Sequence, residues 1–586
     1  MKENLLKTFS ILVILLITQV SDSQKLVILH TNDMHSMLTG FGPELSYTPM
    51  TVNDDETIGG FARLATLFKN EKAENPNSTL IVDAGDFLMG TIFQADEQTS
   101  GFQIALMKKM GYDAITLGNH EFDFGPDILS KIILASKKNA EIPQIIASNI
   151  VFSETSNADN ELEKLYKDKT IKEYTIIEKN SLKLGIIGIV GQDADGVAPN
   201  AKPVSFSKQI KTVQRLTDKL KNEEKVDLVI LLSHSGFYPN EKGVYEGEDL
   251  KIAEKVKNLD VIISGHTHVS TEKAIKVNNT IIVQTGAYVK NLGRLELNIE
   301  NKKIKNYNFS LIQLNDKILG DEEVNSLIDK HKADIDEKYF KPYGLSYSLP
   351  IGETDYTMKT DSYVDKKAGT VGQFVADAIK FYVDKHSDKV DLTIEASGTI
   401  RENILKGKIT APDLFRVSPL GIGANQTPGY PIAKLYITGK ELKGLMEVIV
   451  KTHATPGADS YLNYSGVKID VNMDKGLLRK VQKVYIEDKE IDISKSNTKL
   501  YSIAASSYLL KFIGRIKKMT FGLIKIVPKD EKGNAITDIN KQIIDFDKNT
   551  AGIQEGKIWL ALIEYLKSLE DKNNNGLPEI PEKYKQ

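Results

Sequence analysis

The chain has no cysteine. That absence removes disulfides, thiol nucleophiles, thiolate metal ligands and a lipid-bearing N-terminal cysteine, so any metal must be held by His, Asp, Glu and Asn. An excess of charge of one sign is missing as well: 76 Lys and Arg stand against 79 Asp and Glu, a net charge of -3. Such a balance gives no broad positive field, which sets aside nucleic acid and acidic membrane surfaces as partners. Long apolar runs are absent beyond the N-terminus. There, Lys2 and Lys7 precede an apolar stretch over 9–20 that ends in Ser21-Asp22-Ser23, the plan of a secretory signal peptide over 1–23. The other reading, a membrane anchor, needs about 20 apolar residues, and this run is shorter. The expectation is an exported protein, periplasmic or secreted, with no transmembrane segment once that stretch is removed. Its oligomeric state is not legible.

What the sequence does contain is the makeup of a soluble globular protein, 41% hydrophobic and 26% charged, in 586 residues. Single cores seldom grow beyond about 250–300 residues, so two large domains are expected. From residue 25 to about 312, short apolar strands alternate with amphipathic helices. The strands are predicted over 26–29, 80–82, 114–116, 145–147, 184–190, 228–232, 261–263 and 281–283. Behind Gly59-Gly60, Phe61, Leu64, Ala65 and Phe68 recur at helical spacing. This is an α/β pattern with packed sheets. A charged stretch over 321–338, then 339–344, reads as a connector. A second unit follows, with strands over 392–394, 433–437 and 501–504 and helices over 371–383 and 557–566. The expected domains are thus 24–318, 319–344 and 345–586.

Polar residues cluster just after several of these strands, where ligand sites of α/β folds lie. His30-Thr31-Asn32-Asp33-Met34-His35 puts Asp33 and His35 on one side of an extended segment, because side chains there repeat every second residue. Asp83-Ala84-Gly85-Asp86 offers Asp86 after a tight turn, and one carboxylate can bridge two cations. Gly118-Asn119-His120-Glu121-Phe122-Asp123, Ser233-His234-Ser235-Gly236 and Gly265-His266-Thr267-His268 follow. A lone His at a strand end is usually a hydrogen-bonded structural residue, and Asp-Gly or Gly-Asn pairs are usually turns. Here, however, His35, His120, His234, His266 and His268 are five of only nine histidines, and they sit in strand-end segments that together hold carboxylates and an Asn. Together they read as a metal centre.

This ordered set resembles the calcineurin-like metallophosphoesterases, and within them the 5'-nucleotidase and UDP-sugar hydrolase family, over nearly the whole chain after the signal segment. The resemblance implies an α/β and α+β protein: an N-terminal β-sandwich flanked by helices, a connector helix and a C-terminal mixed α/β substrate-binding domain. It implies two divalent metal ions, one held by Asp33, His35, Asp86 and His268, the other by Asp86, Asn119, His234 and His266. Mixed nitrogen and oxygen ligands of this kind suit zinc, manganese or similar ions. Two such ions activate a water and neutralise charge on the attacked phosphoryl group. His120 is implied as the catalytic imidazole and Asp123 as the carboxylate that fixes its tautomer. Asn119 is also implied at the substrate.

In the second unit, Ala396-Ser397-Gly398-Thr399-Ile400-Arg401 resembles the family segment that brings an arginine to the substrate, and the planar fork of Arg401 suits a phosphate. Family members sandwich the base between two aromatic rings. This chain departs from that: Leu420 stands where the first ring is expected, Tyr508 is the expected second ring, and 511–515 replaces the Gly-rich loop after it. Stacking is therefore expected on one side only. In the tail, Asp571, Asn573, Asn575, Gly576 and Glu582 have the spacing of a calcium loop, but Pro578 and Pro581 interrupt it, and Asx-type turns are the alternative.

The expected function is hydrolysis of nucleoside 5'-monophosphates to nucleoside and phosphate, with the nucleotide enclosed between two domains that close about the connector. A 2',3'-cyclic nucleotide phosphodiesterase or a hydrolase of UDP-sugars and nucleotide diphosphates shares the same chemistry. A secreted nucleotide-binding protein without activity would lack ligands or His120, and here every position is filled.

Overall fold

A computed structural model describes residues 23–360, 370–454, 461–494, 496–513, 516, 520 and 522–585. The expected signal segment therefore lies outside the described residues except for Ser23, as do Gly514 and Arg515. Among the described residues, no helix is long and apolar enough to cross a membrane.

Alternation along the strands builds the N-terminal half. In Gln24–Thr31, Leu26 and Ile28 face one way and Val27 and Leu29 the other, all at 0% exposure. Leu26 and Ile28 join Leu80, Val82, Ile186, Ile230, Leu232 and Ile263 in a core between two sheets. Val27 and Leu29 meet Phe61, Leu64 and Phe68 of helix Phe61–Glu74 on one outer face. On the other outer face, Ile187, Val229 and Leu231 meet Val213, Leu216 and Leu220 of helix Gln209–Asn222. Two sheets with helices outside are the layers that bury both faces of nearly parallel strands.

In the seven-stranded sheet, Gln24–Thr31 runs parallel to Thr79–Asp83, and Ala114–Thr116 and Gln144–Ile146 extend the parallel run. The antiparallel hairpin of Asn291–Glu300 and Lys303–Gln313 closes its other side. In the six-stranded sheet, Leu228–His234 lies between Leu182–Val190 and Val261–Ser264, all parallel. The carboxyl ends of the central strands therefore share one edge, as the polar clusters require.

Helix Glu322–Ile335 starts at Asp321, whose side chain accepts Val324 N at 3.0 Å, and a π turn over Asp336–Phe340 continues it. Beyond it, a four-stranded sheet runs in the order Ile432–Thr438, Leu500–Ser506, Leu392–Ala396, Leu462–Ser465. Its apolar face packs on helix Gly439–Ala454 through Leu442, Leu445 and Met446, and helix Val371–His386 also lies against the sheet. The tail loop is built from Asx-type turns: Asn573 and Asn575 donate to Glu353 at 2.7 and 2.8 Å, Gly576 N to Asp571 at 2.8 Å, and Asn573 N to Glu579 at 3.1 Å. Glu582 instead opens the 3-10 turn Glu582–Tyr584.

Candidate active site

Each candidate ligand sits one to four residues past a central strand, or ends it. His234 is the last residue of Leu228–His234, and Asp33 and His35 follow Gln24–Thr31. The extended geometry expected for 33–35 does not occur. Asp33 and His35 have φ of 50° and 49°, and Asp86, His266 and His268 have 55°, 76° and 56°. These side chains converge because the chain curls left-handed at each, a conformation non-glycine residues hold only where their surroundings over-determine it. The pinning bonds are visible: Asp33 N donates to Gly85 O at 2.9 Å, His35 N to Asp86 O at 3.0 Å, and His266 N to the Asp33 carboxylate at 3.0 Å.

Ligand atoms of Asp33, His35 and His268 lie within 4.8 Å of one another, as do those of Asp86, His234 and His266, and those of His35, Asp86 and His120. His35 Nε2 is 3.0 Å from His268 Nε2, which is 3.5 Å from Asp33 Oδ1. His234 Nε2 is 2.9 Å from Asp86 Oδ2, and Asn119 Oδ1 is 3.1 Å from both His234 Nε2 and His266 Nδ1.

The protons point outward. Nδ1 of His35 is 2.8 Å from Met89 O, Nδ1 of His234 is 2.9 Å from Ala84 O, and Nε2 of His266 is 3.3 Å from Asp193 Oδ2. Each of these acceptors takes the imidazole proton, so the inward nitrogens present lone pairs. Buried acceptors crowded against one another at these distances are unfavourable without positive charge among them, and the set suits divalent cations.

The electrostatics agree. Burial, and then the neighbouring His268, hold His35 well below the usual histidine range, so it is neutral, as a ligand must be. Burial also opposes charge on His234, yet Asp86 and Asp33 overcome it and push the pKa up to about 10. Burial would raise Asp86, but His234 and His120 hold it well below the carboxylate range. The carboxylates ask for positive charge between them.

His120 stands beside this cluster. Its Nδ1 is 2.6 Å from Asp123 Oδ2, and its backbone N donates to Asp86 Oδ1 at 2.8 Å. Burial would lower its pKa, but Asp123 and Asp86 raise it overall. Glu121, quoted in the motif without a role, accepts Asp86 N, Leu88 N and Gly118 N at 3.0, 2.9 and 2.6 Å and so holds the turns that carry Asp86 and Asn119.

From the second unit comes Arg401, whose charge helps to lower the pKa of His35, His120 and His268. Tyr288 packs against His35 and His268 at 5.3 and 5.4 Å, and its hydroxyl donates to Arg401 O at 3.4 Å. Leu420 is 7% exposed and brings no ring. The ring stacked on Tyr508 belongs to Tyr430, at 4.9 Å and 21°, which the sequence reading missed. A Cβ on Gly421 would lie 2.2 Å from the Tyr430 ring, so the glycine beside Leu420 makes the room. Burial, and then the charge of Asp123, raise the Tyr430 pKa. The signal was Pro428-Gly429-Tyr430-Pro431, an aromatic held between turn formers.

Residues 26–270 match the family model described as calcineurin-like phosphoesterase, and residues 350–518 match that described as 5'-nucleotidase, C-terminal domain. The chain belongs to the 5'-nucleotidase family. It is accordingly a metal-dependent phosphoester hydrolase. A 5'-nucleotidase of Vibrio vulnificus is 24% identical over 557 residues, 88% of this chain and 92% of that protein. A snake venom 5'-nucleotidase of Naja atra is 28% identical over 481 residues, covering 76% and 82%. A trifunctional nucleotide phosphoesterase of Bacillus subtilis is 26% identical over 512 residues, 83% of this chain but only 32% of that longer protein. The crystal structure of a 5'-nucleotidase precursor from Thermus thermophilus, 19% identical, superposes with a TM-score of 0.66 over 95% of this chain and 99% of its own, a likeness of fold.

Proposed function

We propose that this member of the 5'-nucleotidase family is exported and releases phosphate from nucleoside 5'-monophosphates with two divalent cations, zinc, manganese or similar. Asp33, His35, Asp86 and His268 would hold one cation, and Asp86, Asn119, His234 and His266 the other. The observation that carries this reading is the convergence of seven side chains, drawn from five strand ends, on two adjoining knots of lone pairs. When bound, the cations supply Lewis acidity toward the phosphoryl oxygens and an activated water.

The chain's own residues do the rest. Arg401 offers its guanidinium to the phosphate from the second unit. With its Nδ1 proton on Asp123, His120 keeps Nε2 for the substrate. Asp123 and Asp86 favour the protonated imidazole, and a proton on Nε2 would pass to the leaving 5'-oxygen as water attacks phosphorus and the ester P–O bond breaks. The Tyr430 and Tyr508 pair gives the base one aromatic surface, since each ring already covers a face of the other. The names of the Vibrio and Naja relatives favour the 5'-monophosphate substrate, and the N-terminal signal pattern favours export.

Phosphate release from AMP, UMP, UDP-glucose and 2',3'-cyclic AMP, before chelation, after it and after return of Mn2+ or Zn2+, tests the reading. The expected result is fastest turnover of the 5'-monophosphates, lost on chelation and restored by metal. Faster turnover of the cyclic or sugar nucleotide would replace the substrate assignment, and turnover indifferent to chelation would end the mechanism.

A further inference from the structure

Asp249 is a carboxylate with no role in the chemistry above, yet it is at 0% exposure in the first turn of helix Glu248–Lys255. None of its hydrogen-bond partners is a cation. Oδ1 accepts the Ser233 hydroxyl at 2.5 Å, and Oδ2 accepts the Ser264 hydroxyl at 2.5 Å and Gly236 N at 3.1 Å. Burying a carboxylate among neutral donors is costly, so its placement calls for a reason.

The register supplies one. Ser233 and Ser264 are opposite each other in the last paired rung between Leu228–His234 and Val261–Ser264. Beyond that rung the ladder ends, and the next residues include His234 on one strand and His266 on the other. Two imidazoles that must meet the same Asn119 oxygen at 3.1 Å are thus carried on strand ends tied past that rung by the Gly265 N to Ser233 O bond at 2.9 Å, with the side chains left to set their separation. The Asp249 carboxylate bridges the two serines and also fastens Gly236, two residues past His234. Its neighbour Glu248 accepts Gln192 N at 2.9 Å and Asp193 N at 3.2 Å, and Asp193 takes the Nε2 proton of His266. One helical turn therefore braces the His234 and His266 ligands from two sides.

We infer that Asp249 is the positioning residue of the second cation half-site, setting the separation of His234 and His266 through the Ser233 and Ser264 hydroxyls. This rests on the two-cation reading proposed above. Outer carboxylates that hold ligands in place are worth about 10–100-fold in metal affinity.

The test is calorimetric titration of Mn2+ alone into the chelator-stripped full chain, for wild type, Asp249→Asn and the double variant Ser233→Ala/Ser264→Ala. The double variant answers the question should Asp249→Asn fail to fold. The expected result is two equivalents in wild type, with one weakened about 10–100-fold in both variants and the other within about twofold of wild type. Turnover lost at low Mn2+ should return at high Mn2+ with the substrate KM unchanged, and the metal-free variants should melt with the metal-free wild type, which general destabilisation would not give. Two unchanged equivalents in the variants, or equal weakening of both, would overturn the inference while leaving the two-cation reading intact. Fewer than two equivalents in wild type would bring down that reading, and the inference with it.

Discussion

At the residue scale, the two nitrogens of His120 divide its work. Nδ1 is committed to Asp123 at 2.6 Å, so only Nε2 can serve the substrate. We predict that His120→Ala lowers kcat by about 10²–10⁴ while Mn2+ stoichiometry stays at wild type, the usual scale for loss of one positioned acid. Steady-state rates beside calorimetric metal counts check this, and wild-type turnover in the variant would remove His120 from the reaction. Tyr430 gives a second prediction. Its ring forms half of the aromatic pair offered to the base, so Tyr430→Ala removes one of the stacked rings. A stacking ring is worth about 1–3 kcal/mol, so the KM for AMP should rise by about tenfold while that for p-nitrophenyl phosphate holds. A parallel shift for both substrates would show that Tyr430 acts on the phosphate end instead. The cluster could be read from the sequence because few residue types ligate hard cations and they occur here in short runs after apolar strands. The left-handed turns at Asp33 and His35 could not, since the long-range bonds to Gly85 and Asp86 impose them. Tyr430 was hidden because its loop places it ten residues past Leu420, and only folding returns the ring to that place.

At the scale of elements, strands buried on both faces were legible: 184–190 and 228–232 lie within Leu182–Val190 and Leu228–His234 as unbroken apolar runs. The longest strands of the first sheet announced themselves less. Asn291–Glu300 alternates Leu295, Leu297 and Ile299, at 0% exposure, with Arg294, Glu296 and Asn298, and its partner Lys303–Gln313 lies at the edge with no residue fully buried. Helix Glu322–Ile335 carries a feature that sequence pattern cannot weigh. His331 lies between Phe102 and Phe93, at 4.0 and 5.7 Å with near-parallel rings, and its Nε2 is buried without a partner. Burial lowers its pKa to about 4, although Asp96 and Asp334 push the other way. The unfolded chain takes up that proton near pH 6.5, so between pH 6.5 and 4 it binds more protons than the fold. Stability is therefore complete above pH 6.5 and lost as pH falls through this window, by about 2 kcal/mol from pH 7 to pH 5. Urea midpoints at the two pH values should draw together in His331→Leu relative to wild type. An equal pH shift in both proteins would place the acid sensitivity elsewhere.

For the whole molecule, the proposed reaction requires two large units to meet at one phosphate. All proposed cation ligands precede residue 270, whereas Arg401 and the tyrosine pair come from the second unit, so the site is complete only while the units are docked. The docking contacts are specific. Arg416, almost fully buried, reaches Glu44 at 3.1 Å and Gly42 O at 2.9 Å, Glu44 also takes Lys332 of the connector helix at 3.2 Å, and Gln94 donates to Pro419 O at 2.6 Å. No local pattern joins Glu44 to a residue 372 positions away, which is why this part of the architecture was not legible. Around it, one apolar core runs from Phe61 and Phe93 through Phe340 and Tyr347 to Phe415 and Trp559. Removing the cation leaves Glu44 and Asp413 buried with less compensation, a loss of about 3–5 kcal/mol that falls on the junction rather than on either sheet. We therefore predict that Arg416→Met splits calorimetric unfolding into two transitions where wild type shows one, and raises the KM for AMP at least about tenfold by loosening Arg401. Because the cation ligands lie on one side of the junction, Mn2+ stoichiometry should not change. If the variant melts in a single transition with an unaltered KM, this contact does not hold the site together, and the apolar core alone must do so.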